Sequence, residues 1–329
     1  MTNVAIIGAG KIAVSMARTL AGMKARGQEV TLYAIAARDQ ARADAFAEEW
    51  GFEHAYGSYE ALVADPAVDL IYIATPHSHH YEQIKLCINA GKAVLCEKSF
   101  TGNARQAAEV LKLAEEKKVL LTEAIWTRYM PSRQIVNEIM ASGEIGELVT
   151  LNANLGYAIS SVERIQKLEL AGGALLDLGV YTLNFASMFF GDDVVRMESS
   201  VEKFESGTDR SENITLYYRD GRTATLQSNA QVNLSRRGCV YGTKGTIIID
   251  NINNPHFIDI YANIQNSEER RRIEVPQQIT GYEYQVEACI RALAAGEIEC
   301  PEMPHSETLH IMKVMDQLRK DWNMVYPFD

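Results

Sequence analysis

The sequence predicts an α/β protein of two domains, a doubly wound parallel sheet followed by an α+β domain with an open, mainly antiparallel sheet. The chain has 329 residues, a length that suits two domains of ordinary size. Up to about residue 123, short apolar segments alternate with helical ones, and from about residue 145 turn-separated strand patterns dominate. We therefore predict one domain over 1–123 and a second over 124–329.

The first region predicts a parallel sheet because its strand segments are apolar throughout, as strands buried on both faces are. Asn103, followed three residues later by Gln106, resembles a capping box at the start of a helix. Strands alternating with helices in this way are typical of doubly wound folds. The predicted strands are 4–7, 30–35, 70–74, 93–96 and 119–122, and the predicted helices are 11–25, 40–50, 79–90 and 103–117.

The second region predicts hairpins because polar turn sequences, such as those at 219–222 and 242–245, separate its apolar segments. Few helical segments interrupt them, so we predict an antiparallel sheet with helices on one face. The predicted strands are 149–155, 214–218, 223–228, 238–241, 246–250 and 257–262, and the predicted helices are about 173–189, 281–295 and 305–321.

Composition excludes several classes of protein. Lys and Arg number 32 against 43 Asp and Glu, which gives a net charge of −11. An acidic chain repels a phosphate backbone, so we expect no nucleic-acid partner. The five cysteines form no CxxC pair, so we expect neither a disulfide framework nor a zinc site. No secretory signal and no apolar run of membrane-spanning length is recognised, and we expect a soluble, cytoplasmic protein without a membrane partner.

A dinucleotide site is predicted at the N-terminus, where the strand 4–7 is followed by Gly8-Ala9-Gly10-Lys11-Ile12-Ala13. In this G-x-G-x-x-A pattern Gly8 permits a tight turn and Gly10 lets the backbone approach a pyrophosphate. Ala13 is small enough for close packing of the helix on the strand. The N-terminus of the helix, from Lys11 and Ile12, offers N–H groups and a positive dipole end to the phosphates.

The end of the second strand favours NADP over NAD. An NAD site has a carboxylate there for the ribose 2′-hydroxyl, whereas this chain has Ala36-Ala37-Arg38-Asp39. The Arg38 guanidinium can pair with a 2′-phosphate, and Asp39 is expected to cap the next helix. NADP is the predicted cofactor, with NAD as the alternative.

Further motifs resemble the glucose–fructose oxidoreductase, inositol dehydrogenase and MocA family, and within it the dimeric dihydrodiol dehydrogenase branch, which includes NADP-dependent D-xylose dehydrogenases. The resemblance spans almost the whole chain. It rests on Ala74-Thr75-Pro76-His77-Ser78-His79-His80, Cys96-Glu97-Lys98-Ser99, Glu123-Ala124-Ile125-Trp126-Thr127-Arg128, Gly172-Gly173-Ala174-Leu175-Leu176-Asp177-Leu178-Gly179-Val180-Tyr181, and the segments at 281–284 and 303–305.

The resemblance implies an N-terminal Rossmann domain, hydride transfer at a nicotinamide, and oligomerisation through the free face of the C-terminal sheet, which we expect to give a homodimer. Glu97 and Lys98 match the family's E-K-P motif, in which the lysine contacts substrate and nicotinamide ribose. The proline of that motif is Ser99 here. Because proline fixes φ, its loss puts the presentation of Lys98 in question.

The resemblance also assigns Asp177 and Tyr181, four residues apart in a helical segment, to catalysis. Tyr181 would accept the alcohol proton in oxidation and donate it in reduction. Lys98 would stabilise the phenolate, and Asp177 would orient the substrate hydroxyl or Lys98. In a variant mechanism Lys98 is itself the proton donor. The competing structural interpretation makes Tyr181 a core aromatic and Asp177 a surface charge.

Other residues are expected to border the ligands. Thr75, Pro76 and His77 follow a strand end and are predicted, with His80 and Glu97, to line the cofactor. No metal is expected, because the clustered histidines have no carboxylate or cysteine partner nearby in sequence. For the substrate we predict contacts from Lys98, Trp126, Arg128, Tyr157, Asp177 and Tyr181, although interdomain packing explains Arg128 equally well.

The predicted function is NADP-dependent transfer of a hydride to or from a sugar, a cyclic diol such as a trans-dihydrodiol, or a related small carbonyl compound. Two alternatives stay open. One is a catalytically silent regulator of the same fold that senses NAD(P), and the other is a reductase of anhydro-ketoses.

Overall fold

Two compact units make up the chain in a computed structural model that describes residues 1–262 and 270–329. The first unit contains Met1–Tyr129 and Gln278–Met312, and the second contains Met130–Gln277 and Lys313–Asp329. The predicted division at residue 123 differs from this one chiefly because 278–312 groups with the N-terminal unit. The assignment of cofactor and substrate to separate domains stays a prediction.

The first unit is built on a sheet of six parallel strands, which confirms the predicted doubly wound fold. Its order is β3-β2-β1-β4-β5-β6. Successive strands are added on one side of β1 up to β3 and on its other side from β4, so the switch point of the topology lies between β1 and β4. In open α/β sheets ligands bind at this switch point, beyond the carboxyl ends of the strands. The strands are β1 (Thr2–Ile7), β2 (Val30–Ala36), β3 (His54–Tyr56), β4 (Leu70–Ile73), β5 (Ala93–Glu97) and β6 (Leu121–Ala124).

Two helices of the first unit, α2 and α5, begin at capping side chains that the sequence predicted. The Asp39 carboxylate accepts the N–H of Arg42, and the Asn103 side chain accepts that of Gln106, so both predicted caps are confirmed. The Gln106 side chain in turn accepts the N–H of Gly102. The helices are α1 (Lys11–Ala25), α2 (Gln40–Trp50), α3 (Tyr59–Val63), α4 (His77–Asn89) and α5 (Ala104–Lys117).

The second unit contains an eight-stranded sheet in which all neighbours are antiparallel except β7 and β10, which run parallel. The strand order is β14-β13-β12-β11-β7-β10-β9-β8. The strands are β7 (Leu148–Gly156), β8 (Val194–Lys203), β9 (Asp209–Tyr218), β10 (Thr223–Asn229), β11 (Gly238–Gly242), β12 (Gly245–Ile249), β13 (Phe257–Ala262) and β14 (Arg270–Glu274).

One face of this sheet packs against the segment that carries two predicted catalytic residues. Leu175–Gly179 forms a π-helical turn that leads into α7 (Val180–Phe190), and α6 (Pro131–Ser142) precedes the sheet. Alternate residues of β10 are buried beneath α7 and the π turn. The remaining helices are α8 (Glu283–Ala295) and α9 (His305–Asp321), both as predicted to within two residues.

The segment ending in α7 corrects one expectation. Leu168–Phe190 is long and apolar enough to cross a membrane by composition, with a mean hydropathy of 1.3. The expectation that no apolar run approaches this length is therefore wrong. Of the most apolar window, 89% is buried inside the protein, so the segment, which ends in α7, packs in the core of the second unit.

Candidate functional site

The predicted glycine turn lies between β1 and α1. Gly8 has φ +99, and a Cβ there would lie 2.9 Å from Thr75 Cγ2 and 3.0 Å from the Ala74 carbonyl oxygen. At Gly10, in contrast, a Cβ would have no described atom within 4 Å. Backbone conformation and packing thus require glycine at position 8. Gly10, in contrast, borders open space that a ligand can enter.

The N-terminus of α1 faces this open space. Gly10 is the N-cap residue, no described side chain caps the helix, and its first turn holds no acidic residue. Ala13 is fully buried, while Lys11 is exposed and Ile12 half-buried. Because the first N–H groups of a helix lack partners within it, this end fits the pyrophosphate of a dinucleotide.

Two arginines, Arg38 and Arg42, follow the end of β2 in the chain. Arg38 is exposed. Partial burial lowers the pKa of the nearby His79 imidazole, and the positive charge of Arg38 lowers it further. Arg42, in the first turn of α2, donates from Nη2 to the carbonyl oxygen of Ala9, at 2.8 Å. Burial raises the pKa of Tyr59, and the positive charges of both arginines oppose that rise. This edge of the glycine turn therefore carries two positive charges, of which the sequence indicated only Arg38.

The His80 ring contacts main-chain carbonyl groups of two loops. It is fully buried, with Nδ1 at 2.9 Å from the Ser99 carbonyl oxygen and Nε2 at 2.9 Å from that of Thr75. Burial lowers the pKa of this imidazole to about 4. These contacts join the loop after β4 to the loop after β5, and they favour a supporting role for His80 over the predicted contact with the cofactor.

The residues before α4 remain at the switch point. The Thr75 hydroxyl donates to Gln83 Oε1 at 2.6 Å, and Pro76 is the N-cap of α4. His77 begins the helix and is buried, its ring edge-on to that of His80 at 5.9 Å.

Lys98 follows the carboxyl end of β5, as predicted, and is half-buried. The peptide bond between Lys98 and Ser99 is cis. Glu97 is buried and accepts a hydrogen bond from the Tyr72 hydroxyl. Glu97 is thus held inside the sheet, which favours support of Lys98 over direct contact with a cofactor.

Trp126 and Arg128 are engaged within the first unit. The Trp126 ring stacks on that of Tyr282, with centroids 4.4 Å apart and planes at 8°. Arg128 Nη2 lies 2.5 Å from Glu307 Oε1, and the two side chains are 10% and 17% exposed. This ion pair favours the packing interpretation of Arg128, and the substrate contacts of both residues stay predictions.

Glu123 is a buried carboxyl that the sequence did not single out for chemistry. It lies on β6, paired with Cys96 on β5, and is 1% exposed. Burial raises the pKa of Glu123 to about 7, against the opposing effects of Thr308 and Arg128. The carboxyl of Glu123 thus lies one strand away from β5, which ends immediately before Lys98.

In the second unit, the Asp177 carboxylate is held in a two-pronged ion pair. Arg164 Nη1 lies 3.1 Å from Oδ1 and Nη2 lies 3.1 Å from Oδ2, with Asp177 6% and Arg164 39% exposed at the side chain. Tyr181, on α7, is 8% exposed. Asp177 lies in the π-helical turn and Tyr181 in the first turn of α7, so their four-residue spacing crosses a change of helical geometry. That both side chains face one way stays a prediction.

Tyr157, just after β7, has a partnered hydroxyl. Asn253 Nδ2 donates to it at 3.1 Å and Arg236 Nη1 at 3.4 Å. The Arg236 guanidinium also lies 5.5 Å from the centre of the Tyr157 ring. The sequence did not indicate Arg236 or Asn253, since both reach Tyr157 from distant parts of the chain.

The predicted site residues divide between the two units. Within the residues that the structure describes, no group of three or more His, Cys, Asp or Glu side chains is placed to hold a metal ion. The first unit holds Gly8, Gly10, Lys11, Ile12, Arg38, Thr75, Pro76, His77, His80, Glu97, Lys98, Trp126 and Arg128, and the second holds Tyr157, Asp177 and Tyr181.

Comparison with known families matches both regions of the chain. Residues 2–125 match the family described as an oxidoreductase family with an NAD-binding Rossmann fold. Residues 134–248 match the GFO/IDH/MocA C-terminal domain.

Curated relatives match over nearly the whole length. Trans-1,2-dihydrobenzene-1,2-diol dehydrogenase of Mus musculus is 34% identical over 98% of both chains. The enzyme of the same name from Homo sapiens is 33% identical over 92% of this chain and 91% of its own.

Solved structures match as well. A 3-ketoreductase from Actinomadura kijaniata, in complex with NADP, has a TM-score of 0.85 and 26% identity over 97% of both chains. It has also been solved with a lysine replaced by alanine and with a tyrosine replaced by phenylalanine. A levoglucosan dehydrogenase in complex with NADH shares the fold, with a TM-score of 0.88 at 16% identity.

Proposed function

The chain belongs to the Gfo/Idh/MocA oxidoreductase family, and we propose that it transfers a hydride between NADP and the hydroxyl or carbonyl carbon of a trans-dihydrodiol, a sugar or a related small carbonyl compound. The observation that carries the proposal is the uncapped N-terminus of α1 beside the open space at Gly10. The substrate class follows the names of the full-length relatives, which are dihydrodiol dehydrogenases.

This chain's own residues would hold the cofactor by its phosphates. The N–H groups at the start of α1 are suited to the pyrophosphate, and the exposed Arg38 guanidinium is suited to a 2′-phosphate. Arg42 supports the turn through the Ala9 carbonyl. When bound, the nicotinamide supplies the hydride for reduction or accepts it in oxidation.

Proton transfer is assigned to the tyrosine and lysine of the family motifs. In the oxidative direction Tyr181 accepts the alcohol proton, and in reduction it returns that proton to the new hydroxyl oxygen. Lys98 is the alternative donor. Assigning proton transfer to a tyrosine and a lysine is consistent with the two residue types that were replaced in the solved 3-ketoreductase variants. Asp177, held by Arg164, orients the substrate hydroxyl.

The test is the NADP(H)-dependent change in absorbance over a panel of aldoses, 1,2-dicarbonyls and trans-dihydrodiols. We expect turnover with at least one class, a loss of at least about 100-fold in kcat/KM for Tyr181→Phe or Lys98→Ala, and non-additive losses in the double variant. Unchanged turnover in both single variants would refute the assigned roles. Tight NADP binding without turnover by the wild type would instead favour the regulatory alternative.

We also propose a homodimer formed through the open face of the second unit's sheet. Among the residues of β9 and β10 that alternate with the buried ones, Asn213, Thr225 and Gln227 are exposed. Light scattering is expected to give twice the mass of the chain. Thr225→Lys combined with Gln227→Lys should reduce it to the single mass, whereas Glu48→Lys on α2 should not. A single-chain mass for the wild type would contradict this proposal.

A further inference from the structure

Two buried carboxyl groups lie under the start of the segment that carries Asp177 and Tyr181. Asp209 and Glu212 are both on β9, and they are 0% and 1% exposed. They belong to the face of the sheet that packs against the π turn Leu175–Gly179. None of the roles derived above uses them, although burying a carboxyl group is costly unless it is hydrogen-bonded or neutral.

Asp209 binds the first N–H groups of the π turn. Its Oδ2 accepts the N–H of Leu175 at 2.5 Å, and its carboxylate also interacts with the N–H of Ala174. The first N–H groups of a helical segment have no partner within it and favour a negative charge nearby. Asp209 thus caps this segment from a neighbouring strand and fixes where it begins, two residues before Asp177.

Glu212 has no comparable set of donors. It faces the Asp209 carboxyl and the hydroxyl of Ser228, its partner across the β9–β10 pair. Among the described residues, neither Glu212 carboxyl oxygen receives a hydrogen bond of ordinary geometry. Burial and then the charge of Asp209 raise the pKa of Glu212 well above its usual range. Burial raises the pKa of Asp209 as well, but its N–H donors oppose that rise. The pair therefore favours one shared proton, with the negative charge beside the N–H donors of Asp209.

The glycines of the predicted motif make room for this pair. Gly173 has φ +126, and a Cβ there would overlap Asp209 Oδ1. At Gly179 a Cβ would lie 2.8 Å from Glu212 Oε1 and 3.6 Å from Ser228 Oγ. The two glycines on either side of Asp177 are thus matched to the two carboxyl groups, which ties the sequence motif to this pair.

We propose that Asp209 and Glu212 form a carboxyl clamp, a pair that shares one proton and holds the π turn so that Asp177 and Tyr181 are positioned for proton transfer. Both are positioning residues, because they act through the backbone of the π turn. The inference rests on the proposed function for its kinetic consequence, while the clamp itself is a property of the second unit.

The test compares variants that keep or remove the charge distribution. Glu212→Gln keeps a neutral group with an N–H donor toward Asp209. Asp209→Asn removes the charge that faces the N–H groups of Ala174 and Leu175. Glu212→Met keeps the length of the side chain without a donor, and it replaces Asp209→Asn as the disruptive variant if the latter does not fold. Glu205→Gln, at an exposed position of the same unit, is the matched control.

For the kinetic measurement, at a temperature well below Tm, we expect kcat within about threefold of the wild type for Glu212→Gln. For Asp209→Asn we expect a fall of at least about tenfold in kcat, with the Kd for NADP unchanged, because the glycine turn lies in the other unit. A loss of Tm at normal kcat would mean that the pair only stabilises the fold, and it would overturn the proposal.

Hydrogen–deuterium exchange over residues 172–181 tests the clamp without any substrate. Exchange should be faster than in the wild type for Asp209→Asn and Glu212→Met and unchanged for Glu212→Gln. Equal exchange in Glu212→Gln and Glu212→Met would overturn the clamp. If the wild type shows no turnover but the exchange pattern holds, the proposed function fails while the clamp stands.

Discussion

The Asp177 carboxylate and the Arg164 guanidinium face each other with both oxygens and both terminal nitrogens engaged at 3.1 Å. This geometry answers the question that the sequence left open for Asp177, because a carboxyl that is 6% exposed at the side chain and paired in this way is not a free surface charge. It also fixes the direction in which the carboxylate oxygens point.

Removing the partner of Asp177 should therefore weaken both stability and turnover. Arg164→Met leaves a buried carboxylate without its cation, at a cost of about 1–3 kcal/mol, which is less than for a fully buried pair because Arg164 is 39% exposed. We expect a lower Tm and at least a tenfold lower kcat. Arg219→Met, which breaks the exposed pair with Asp193, is the control. Equal behaviour of the two variants would contradict the prediction.

The two glycines of the cofactor turn should separate folding from binding. Gly8→Ala forces a residue with φ +99 and close contacts to Thr75 and Ala74, and it should cost at least about 1 kcal/mol of stability. Gly10→Ala projects into open space and should leave the Tm of the cofactor-free protein unchanged. Its Kd for NADP should nevertheless rise at least about tenfold, because the methyl group occupies space meant for the pyrophosphate. Calorimetric titration and thermal unfolding measure the two effects, and a Gly10→Ala variant that binds normally would place the cofactor elsewhere.

Arg38 should determine the preference for NADP. Its guanidinium is exposed at the end of β2, so Arg38→Ala should raise the Kd for NADP on the order of tenfold or more and change that for NAD by less than about twofold. Arg42→Ala removes the hydrogen bond to the Ala9 carbonyl and should weaken both cofactors about equally. Parallel losses for NADP and NAD in Arg38→Ala would rule out the 2′-phosphate role.

The sequence predicted those parts of the fold that depend on local pattern. The helices 11–25, 40–50 and 305–321 have the predicted ends, because caps and periodicity are read within a few residues. The three-residue strand β3 and the five-residue helix α3 were missed, since so short an element shows no period. Likewise β8, whose residues are half-buried or exposed, lacks the apolar run of a core strand.

The site was predictable where a motif requires a particular backbone. The glycine turn and the placement of Lys98 after β5 follow from strand ends and spacing. Arg42, Arg164, Asn253 and the stacking of Tyr282 on Trp126 were not predictable, because each partner comes from elsewhere in the fold and has no fixed offset from the residue it serves. The sequence predicted that His80 contacts the cofactor, whereas in the fold its ring is buried and both ring nitrogens contact main-chain carbonyl oxygens.

Glu123 gives a prediction for the pH dependence of stability. Burial raises its pKa to about 7 from an ordinary value of 4.5. Between these values the folded protein keeps the proton that the unfolded chain releases, so the contribution of Glu123 to stability is full below 4.5 and is lost as the pH rises through 7. Glu123→Gln removes this loss. Relative to the wild type it should therefore gain on the order of 2 kcal/mol between about pH 5 and about pH 8.

Denaturant unfolding of the wild type and the Glu123→Gln variant at several pH values measures this difference. Glu48→Gln, at an exposed position of α2, should give a difference from the wild type that does not vary with pH. Because both proteins contain every other titrating group, including the buried His80 that opposes Glu123 at low pH, subtraction isolates the carboxyl at 123. A stability difference for Glu123→Gln that stays constant across this range, or that shrinks as the pH rises, would show that Glu123 ionises normally in the folded protein.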